Sequence, residues 1–335
     1  MRKLFPVFAL LLVVLPSAAQ TKLNGAGATF PYPIYSKWFN EYHNQHPDIE
    51  INYQSIGSGG GIRQVTAGTV DFGASDGPMS DEQLAAAKFK ILHLPTVLGS
   101  VVPAYNIPGF KGELKFTPEI IAGIYLGKIT SWNDSAIAKA NPGVSLPGQT
   151  IIVVHRSDGS GTTYIFTDYL SKVSSEWKTQ VGKGTSVSWP PGELGAKGNE
   201  GVAGMIRQMD GAFGYVELIY ALQNNITYGS VKNAAGNFVK ASLDSTTAAA
   251  ASMKTMPADF RVSITNAPGK DAYPISSFTW LLVPADWKDK NKQKVFVDFL
   301  NWMLDQGQTM TADLNYAPLP DGVKQKEHEA IKTIR

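Results

Sequence analysis

Two short glycine-serine loops constrain this chain more than any other feature. They are Gly57-Ser58-Gly59-Gly60-Gly61 and Gly159-Ser160-Gly161-Thr162-Thr163, with their serines 102 residues apart. Each is followed at once by a helix-like apolar pattern. A glycine-rich turn that opens a helix aims free backbone N–H groups at one spot, where an anion can sit. Two such spots a domain's length apart predict one anion gripped between two lobes.

The flanking residues read as alternating strands and helices. Leu23 to Thr29 reads as a strand running into a Gly-Ala-Gly-Ala-Thr turn, and Pro31 and Pro33 suit a helix start. Tyr35, Trp38, Phe39 and Tyr42 then fall on one helical face. Ile49, Ile51 and Tyr53 alternate as a strand, Ser58 is placed to cap a helix carrying Ile62 and Val65, and Val70 to Ser75 is a short buried strand. That order predicts an α/β sheet with crossovers. Leu92 to Asn106, with three turn-forming residues in a β-branched run, reads as a strand crossing between lobes. Ile151 to Val154 is a strand, Phe166, Tyr169, Leu170 and Val173 mark a helix, Asn199 reads as a cap for Glu200 to Met209, and Phe213 to Val216 is a strand. A second crossing is expected near Tyr273-Pro274, before the apolar run Phe278 to Val283, with the last helices returning to the first lobe.

The N-terminus reads as a secretory signal: Arg2 and Lys3, an apolar run from Leu4 to Leu15, then small residues that predict cleavage after Ala19. The apolar run is short for a membrane span. The chain has no cysteine, which excludes disulfides, thiolate metal sites, a cysteine nucleophile and a lipid-modified cysteine. Export without these fits a bacterial periplasm, with extracellular release as the alternative. A net charge of +2 is too balanced for a nucleic-acid binder.

Ser58 and Ser160, with Thr162 beside the latter, offer hydroxyls at the two loops. Read alone, either serine is a helix cap; together they suit an oxyanion. Thr29 and the Phe30 N–H lie near a helix start. Gly25-Ala26-Gly27-Ala28-Thr29-Phe30 is not a dinucleotide fingerprint, because Phe30 fills the third glycine position. Arg156 has the planar fork that matches a tetrahedral oxyanion, and Asp158 is placed to hold it. Asp76 ends Asp71-Phe72-Gly73-Ala74-Ser75-Asp76, at the carboxyl end of a predicted strand, where open α/β sheets bind ligands. Among donors it would be the lone acceptor. An ionised carboxylate accepts a hydrogen bond from phosphate, which keeps a proton near neutral pH, and repels sulfate, which has none. His155 reads as an outward strand residue.

These stretches resemble the phosphate-binding periplasmic protein of the high-affinity phosphate ABC transporter. The resemblance rests on Gly25 to Pro31, Gly57-Ser58, Asp71 to Asp76 and Arg156 to Thr162. It continues through Trp189-Pro190, Gly198 to Gly201, Gly214 to Glu217 and Asp271 to Ile275, over nearly the whole expected mature chain. It implies a two-lobe periplasmic-binding-protein fold of type II: two mixed α/β domains joined by two hinge crossings. The expected division is a signal peptide over 1–19, a discontinuous first lobe over 20–97 and 274–335, and a second lobe over 98–273. It implies that Thr29, Ser58, Arg156, Ser160 and Thr162 donate side-chain hydrogen bonds and that Phe30 and Gly161 donate backbone N–H groups. Asp76 would accept the ligand's proton, and Asp158 would pair with Arg156. Gly59 departs from the pattern, since family members often carry a second serine there. Inorganic phosphate as ligand, a membrane permease as partner, a monomeric state and no cofactor, metal or catalytic residue complete the expectation.

Two rivals with specific chemistry remain at this level, beside a surface or adhesive role that the sequence neither supports nor excludes. One is a binding protein for another oxyanion, such as sulfate or molybdate, against which Asp76 argues. The other is an exported phosphatase. Neither Ser58 nor Ser160 lies in Gly-x-Ser-x-Gly, since Ile56 and Asp158 stand where the first glycine belongs, and His43 and His46 do not form a His-Glu-x-x-His pair.

Overall fold

The computed structural model describes residues 20–110 and 112–335. The expected signal segment lies outside the described residues. Among those described, no helix is long and apolar enough to cross a membrane.

The chain opens with β1 (Thr21–Gly27), α1 (Tyr32–Gln45), β2 (Ile49–Ser55), α2 (Ser58–Ala67), β3 (Phe72–Ser75) and α3 (Asp81–Ala86). It then runs through the long β4 (Ile91–Tyr105) into β5 (Lys115–Phe116), α4 (Pro118–Tyr125), α5 (Ser135–Ala140), β6 (Ile152–Arg156), α6 (Gly161–Val173) and α7 (Ser175–Gln180). Next come β7 (Leu194–Ala196), α8 (Gly198–Gln208), β8 (Ala212–Glu217) and α9 (Leu218–Gln223). The short strands β9 (Thr227–Tyr228), β10 (Ser230–Lys232) and β11 (Phe238–Val239) precede α10 (Leu243–Ala251). The chain returns through β12 (Ser276–Pro284), α11 (Lys290–Asp305) and α12 (Asp321–Ile331).

Among the described residues, nine strands form one mixed sheet in the order β2-β1-β3-β12-β4-β8-β6-β7, with β9 also paired to β4. Its two flanks are parallel: β1 with β2 and β3, and β6 with β7 and β8. Its middle is antiparallel, and β4 belongs to both halves. Residues up to Ser100 pair with β12, and those from Val101 pair with β8. The returning segment meets β4 at the same place. The Val101 N–H donates to the Ile275 carbonyl at 2.9 Å and the Tyr273 hydroxyl donates to the Val101 carbonyl at 2.9 Å. Two strands therefore run side by side where one half of the sheet passes into the other. A strand buried on both faces needs an unbroken apolar run, and in β4 every residue except Leu92 is buried.

Each half has its own aromatic core. In the first, Tyr35, Trp38, Phe39 and Tyr42 of α1 are buried as the helical spacing predicts. Phe39 meets Phe299 of α11 at 5.4 Å and Phe72 stacks on Phe296 at 4.8 Å, so α11 packs back on the N-terminal strands. In the second, Phe166 of α6 stacks on Tyr215 of β8 at 4.3 Å, with Tyr125 beside both.

The parallel flanks face each other with their carboxyl ends. The residues after β1, β2, β3, β6 and β7, and the end of β8, converge on the middle of the sheet. Parallel strands followed by helices deliver helix N-termini to that edge.

Candidate anion-binding site

Thr29, Phe30, Ser58, Asp76, Arg156, Ser160, Gly161 and Thr162 come together where the two halves meet. All eight are at most 3% exposed, except Gly161, which is also buried. Closeness across the halves is direct. The Gly59 N–H donates to the Gly159 carbonyl at 2.8 Å. A Cβ at Gly161 would overlap Ser58 Oγ together with Oδ2 and Cβ of Asp76, so only glycine admits this approach. A Cβ at Gly59 would come within 3.1 Å of the Gly159 Cα, a tight contact that a small backbone shift would have to relieve.

Two of the capping expectations are corrected. Ser160 caps α6 as read, its Oγ accepting the Thr163 N–H at 3.0 Å. Ser58 does not cap α2. Gly57 holds the cap position with φ 83°, and Ser58, the first helical residue, accepts the Asp76 N–H at 3.2 Å instead. Asn199 is no cap either: α8 starts at Gly198, two residues before the expected Glu200, with Lys197 at the cap position.

The electrostatics are balanced by pairing. Arg156 donates to Asp158 through Nε at 2.8 Å and Nη2 at 2.6 Å, and through Nη1 to Thr162 Oγ1 at 3.4 Å. Burial acts to raise the Asp158 carboxyl. The Arg156 guanidinium and the Gly198 N–H outweigh it and hold Asp158 below the usual range. Asp76 differs. Burial pushes its carboxyl up to about 7, against the opposing pull of Thr279, Arg156 and Ser58. Its Oδ1 accepts the Thr279 hydroxyl at 2.8 Å, and its buried Oδ2 has no protein partner. Burial likewise holds Glu217, at the end of β8, well above the carboxylate range. His155 stacks on Trp189 at 4.7 Å, and burial lowers its pKa.

Two neighbours escaped the sequence reading as site residues. Thr279 lies inside an apolar run and carries no local signal. Asn199 had one: it follows a glycine at the start of a helix after a strand, the same arrangement as Ser58 and Thr162. Its amide spans the halves, donating to Thr29 Oγ1 at 2.8 Å and Thr162 Oγ1 at 3.0 Å.

The chemistry available is therefore a buried cage of hydroxyl and N–H donors with one carboxyl oxygen of Asp76 left without a protein partner. Among the described residues, no cluster of histidine and carboxylate side chains could hold a metal ion.

The family model for a PBP superfamily domain matches residues 15–306. The phosphate-binding protein PstS of Xylella fastidiosa is 49% identical over 318 residues, covering 93% of this chain and 86% of its own. This chain belongs to the PstS family of the PBP superfamily. A PstS from Pasteurella multocida is 47% identical, over 98% of this chain and 94% of its own. One from Methanocaldococcus jannaschii is 37% identical, over 92% and 85%. Solved structures agree on the two-lobe fold of the family. The high-affinity periplasmic phosphate-binding protein PfluDING, bound with phosphate, superposes with a TM-score of 0.74 at 22% identity, over 91% of this chain and 92% of that one. The phosphate-binding protein of Stenotrophomonas maltophilia does so at 0.70 and 18%, over 92% and 93%.

Proposed function

We propose that this protein binds inorganic phosphate in the periplasm and delivers it to the membrane permease of an ABC importer. It would be exported by a cleaved signal and act as a monomer without catalysis. The observation that carries the reading is Asp76 Oδ2, a buried acceptor without a protein partner, set among donors contributed by both halves. Thr29, Ser58, Arg156, Ser160 and Thr162 donate from side chains and Phe30 and Gly161 from the backbone, with Asp158 holding Arg156. The PstS names of relatives up to 49% identical support the same ligand.

We divide the lobes as the sequence suggests, 20–97 with 274–335 and 98–273. The exchange of partners along β4 supports that division. Because each lobe carries part of the donor set, the anion favours the closed state by contacts that the open state lacks. Charge-assisted hydrogen bonds contribute roughly 1.5–3 kcal/mol each in net terms, and about ten of them would exceed the ceiling near 18–21 kcal/mol. Fixed donors must therefore replace water closely enough to leave a modest surplus.

Calorimetric titration decides the matter. Phosphate is expected to bind while sulfate fails to displace it at comparable concentration; equal displacement would end the phosphate reading in favour of a general oxyanion binder. Release of phosphate from a model monoester by the pure protein would instead revive the phosphatase.

A further inference from the structure

A hydroxyl is both donor and acceptor, so a cage of hydroxyls does not by itself favour an anion. Something must occupy their lone pairs and leave the O–H to point at the guest. At Ser58 that is the Asp76 N–H, and at Ser160 the Thr163 N–H. At the two threonines it is one side chain. Asn199 Nδ2 donates to Thr29 Oγ1 at 2.8 Å and to Thr162 Oγ1 at 3.0 Å. The Asn199 N–H adds a second donor to Thr29 at 3.3 Å, and Arg156 Nη1 adds one to Thr162 at 3.4 Å. The Glu217 N–H donates to Asn199 Oδ1 at 3.0 Å, which fixes the end of the amide that faces the threonines. Asn199 is fully buried, so water does not compete.

We propose that Asn199 is a positioning residue that makes the Thr29 and Thr162 hydroxyls obligate donors to the bound anion. The inference rests on the anion-binding reading above. Thr29 follows β1 and Asn199 stands on α8, so the orienting bonds to Thr29 form only when the halves meet. Closure thus aligns that hydroxyl as it encloses the guest.

Asn199→Asp tests this with little change of shape. A carboxylate in place of the amide accepts from both threonines and turns their hydrogens away from the anion. Protonation of that carboxyl restores one donor. The titratable and charged groups around it are Arg156 on β6, Asp158 in the loop after it, Glu217 ending β8, Glu200 with Tyr220 of α9, and Asp76 after β3. All are common to both proteins, so what they contribute independently of position 199 cancels in the ratio of the dissociation constants.

Phosphate titrations of the full chain are expected to show Asn199→Asp weakened about 100-fold or more near pH 8, the ratio to wild type shrinking about tenfold near pH 5. In a second cycle, Asn199→Ala and Thr29→Val should cost less together than the sum of their separate effects, because each removes the same alignment. A ratio that does not change with pH, or additive losses, overturns the role of Asn199. Failure of the unaltered chain to bind phosphate overturns the proposed function instead. If Asn199→Asp does not fold, the cycle with Asn199→Ala carries the test alone.

Discussion

Asp76 is held between two protonation states by opposing forces. Burial favours the neutral acid, and the Thr279 hydroxyl, Arg156 and Ser58 favour the carboxylate, leaving its pKa at about 7. A carboxyl raised this far binds a proton in the folded chain that the unfolded chain releases near 3.8. Its contribution to stability is full below that value and is lost as pH rises through about 7. Urea unfolding of the phosphate-free protein is therefore expected to lose stability across that window, with Glu193 and Glu217 adding losses of the same sign, and Asp76→Asn should remove a share on the order of 4 kcal/mol. Under the proposed function the same proton governs selectivity. Ionised, Asp76 needs an anion that brings its own hydrogen; protonated, it supplies one. Sulfate should compete more strongly as pH falls from about 8 to about 5, and Asp76→Asn should admit sulfate without abolishing phosphate binding, since an amide still accepts. Competition titrations with unchanged selectivity in the variant would remove Asp76 from its role.

Helices and strands set where these side chains arrive. Gly161 stands at the first turn of α6, against Ser58 of α2 and Asp76 after β3. The nearest atoms a methyl group would meet there belong to Ser58 and Asp76, in the other half. Gly161→Ala should weaken phosphate binding by about 100-fold or more while leaving the thermal midpoint of the phosphate-free chain nearly unchanged. A fall in that midpoint matching the loss of binding would mean that the glycine serves folding instead. The aromatic face of α1 answers to a different force. Trp38 is fully buried, and its indole N–H donates to the Gly307 carbonyl at 2.8 Å. Trp38→Ala should cost about 3–5 kcal/mol by denaturant unfolding, through the cavity and the orphaned carbonyl.

Across the whole molecule, the halves are tied by two adjacent strands and by contacts at the cage. The described form is closed, with the Gly59 N–H on the Gly159 carbonyl and Asn199 on Thr29. Those bonds alone are few against the freedom of an open cleft. Solution scattering should show the phosphate-free protein more extended than the phosphate-bound one, and Gly161→Ala extended in both. At phosphate about 100 times its dissociation constant, binding should stabilise the wild type by about 2.7 kcal/mol. Arg156→Ala should weaken binding and flatten its dependence on ionic strength, because Arg156 is the cage's one cation among neutral donors.

Local forces in the sequence determined the elements: the α1 stripe of Tyr35, Trp38, Phe39 and Tyr42, the unbroken apolar run of β4, and the glycines that open α2 and α6. They also made Ser58, Asp76, Arg156 and Ser160 candidates, because strand ends and helix starts are where polar groups meet a ligand. Other features depended on contacts between residues far apart. The choice of Gly57 over Ser58 as cap follows from the Asp76 N–H, 18 residues on. Asn199 leaves its own helix end for Thr29, 170 residues away. Thr279 reads as one more strand residue until the sheet brings it to Asp76. Local patterning fixes which backbone groups need partners; only the packed chain decides which distant side chain supplies them.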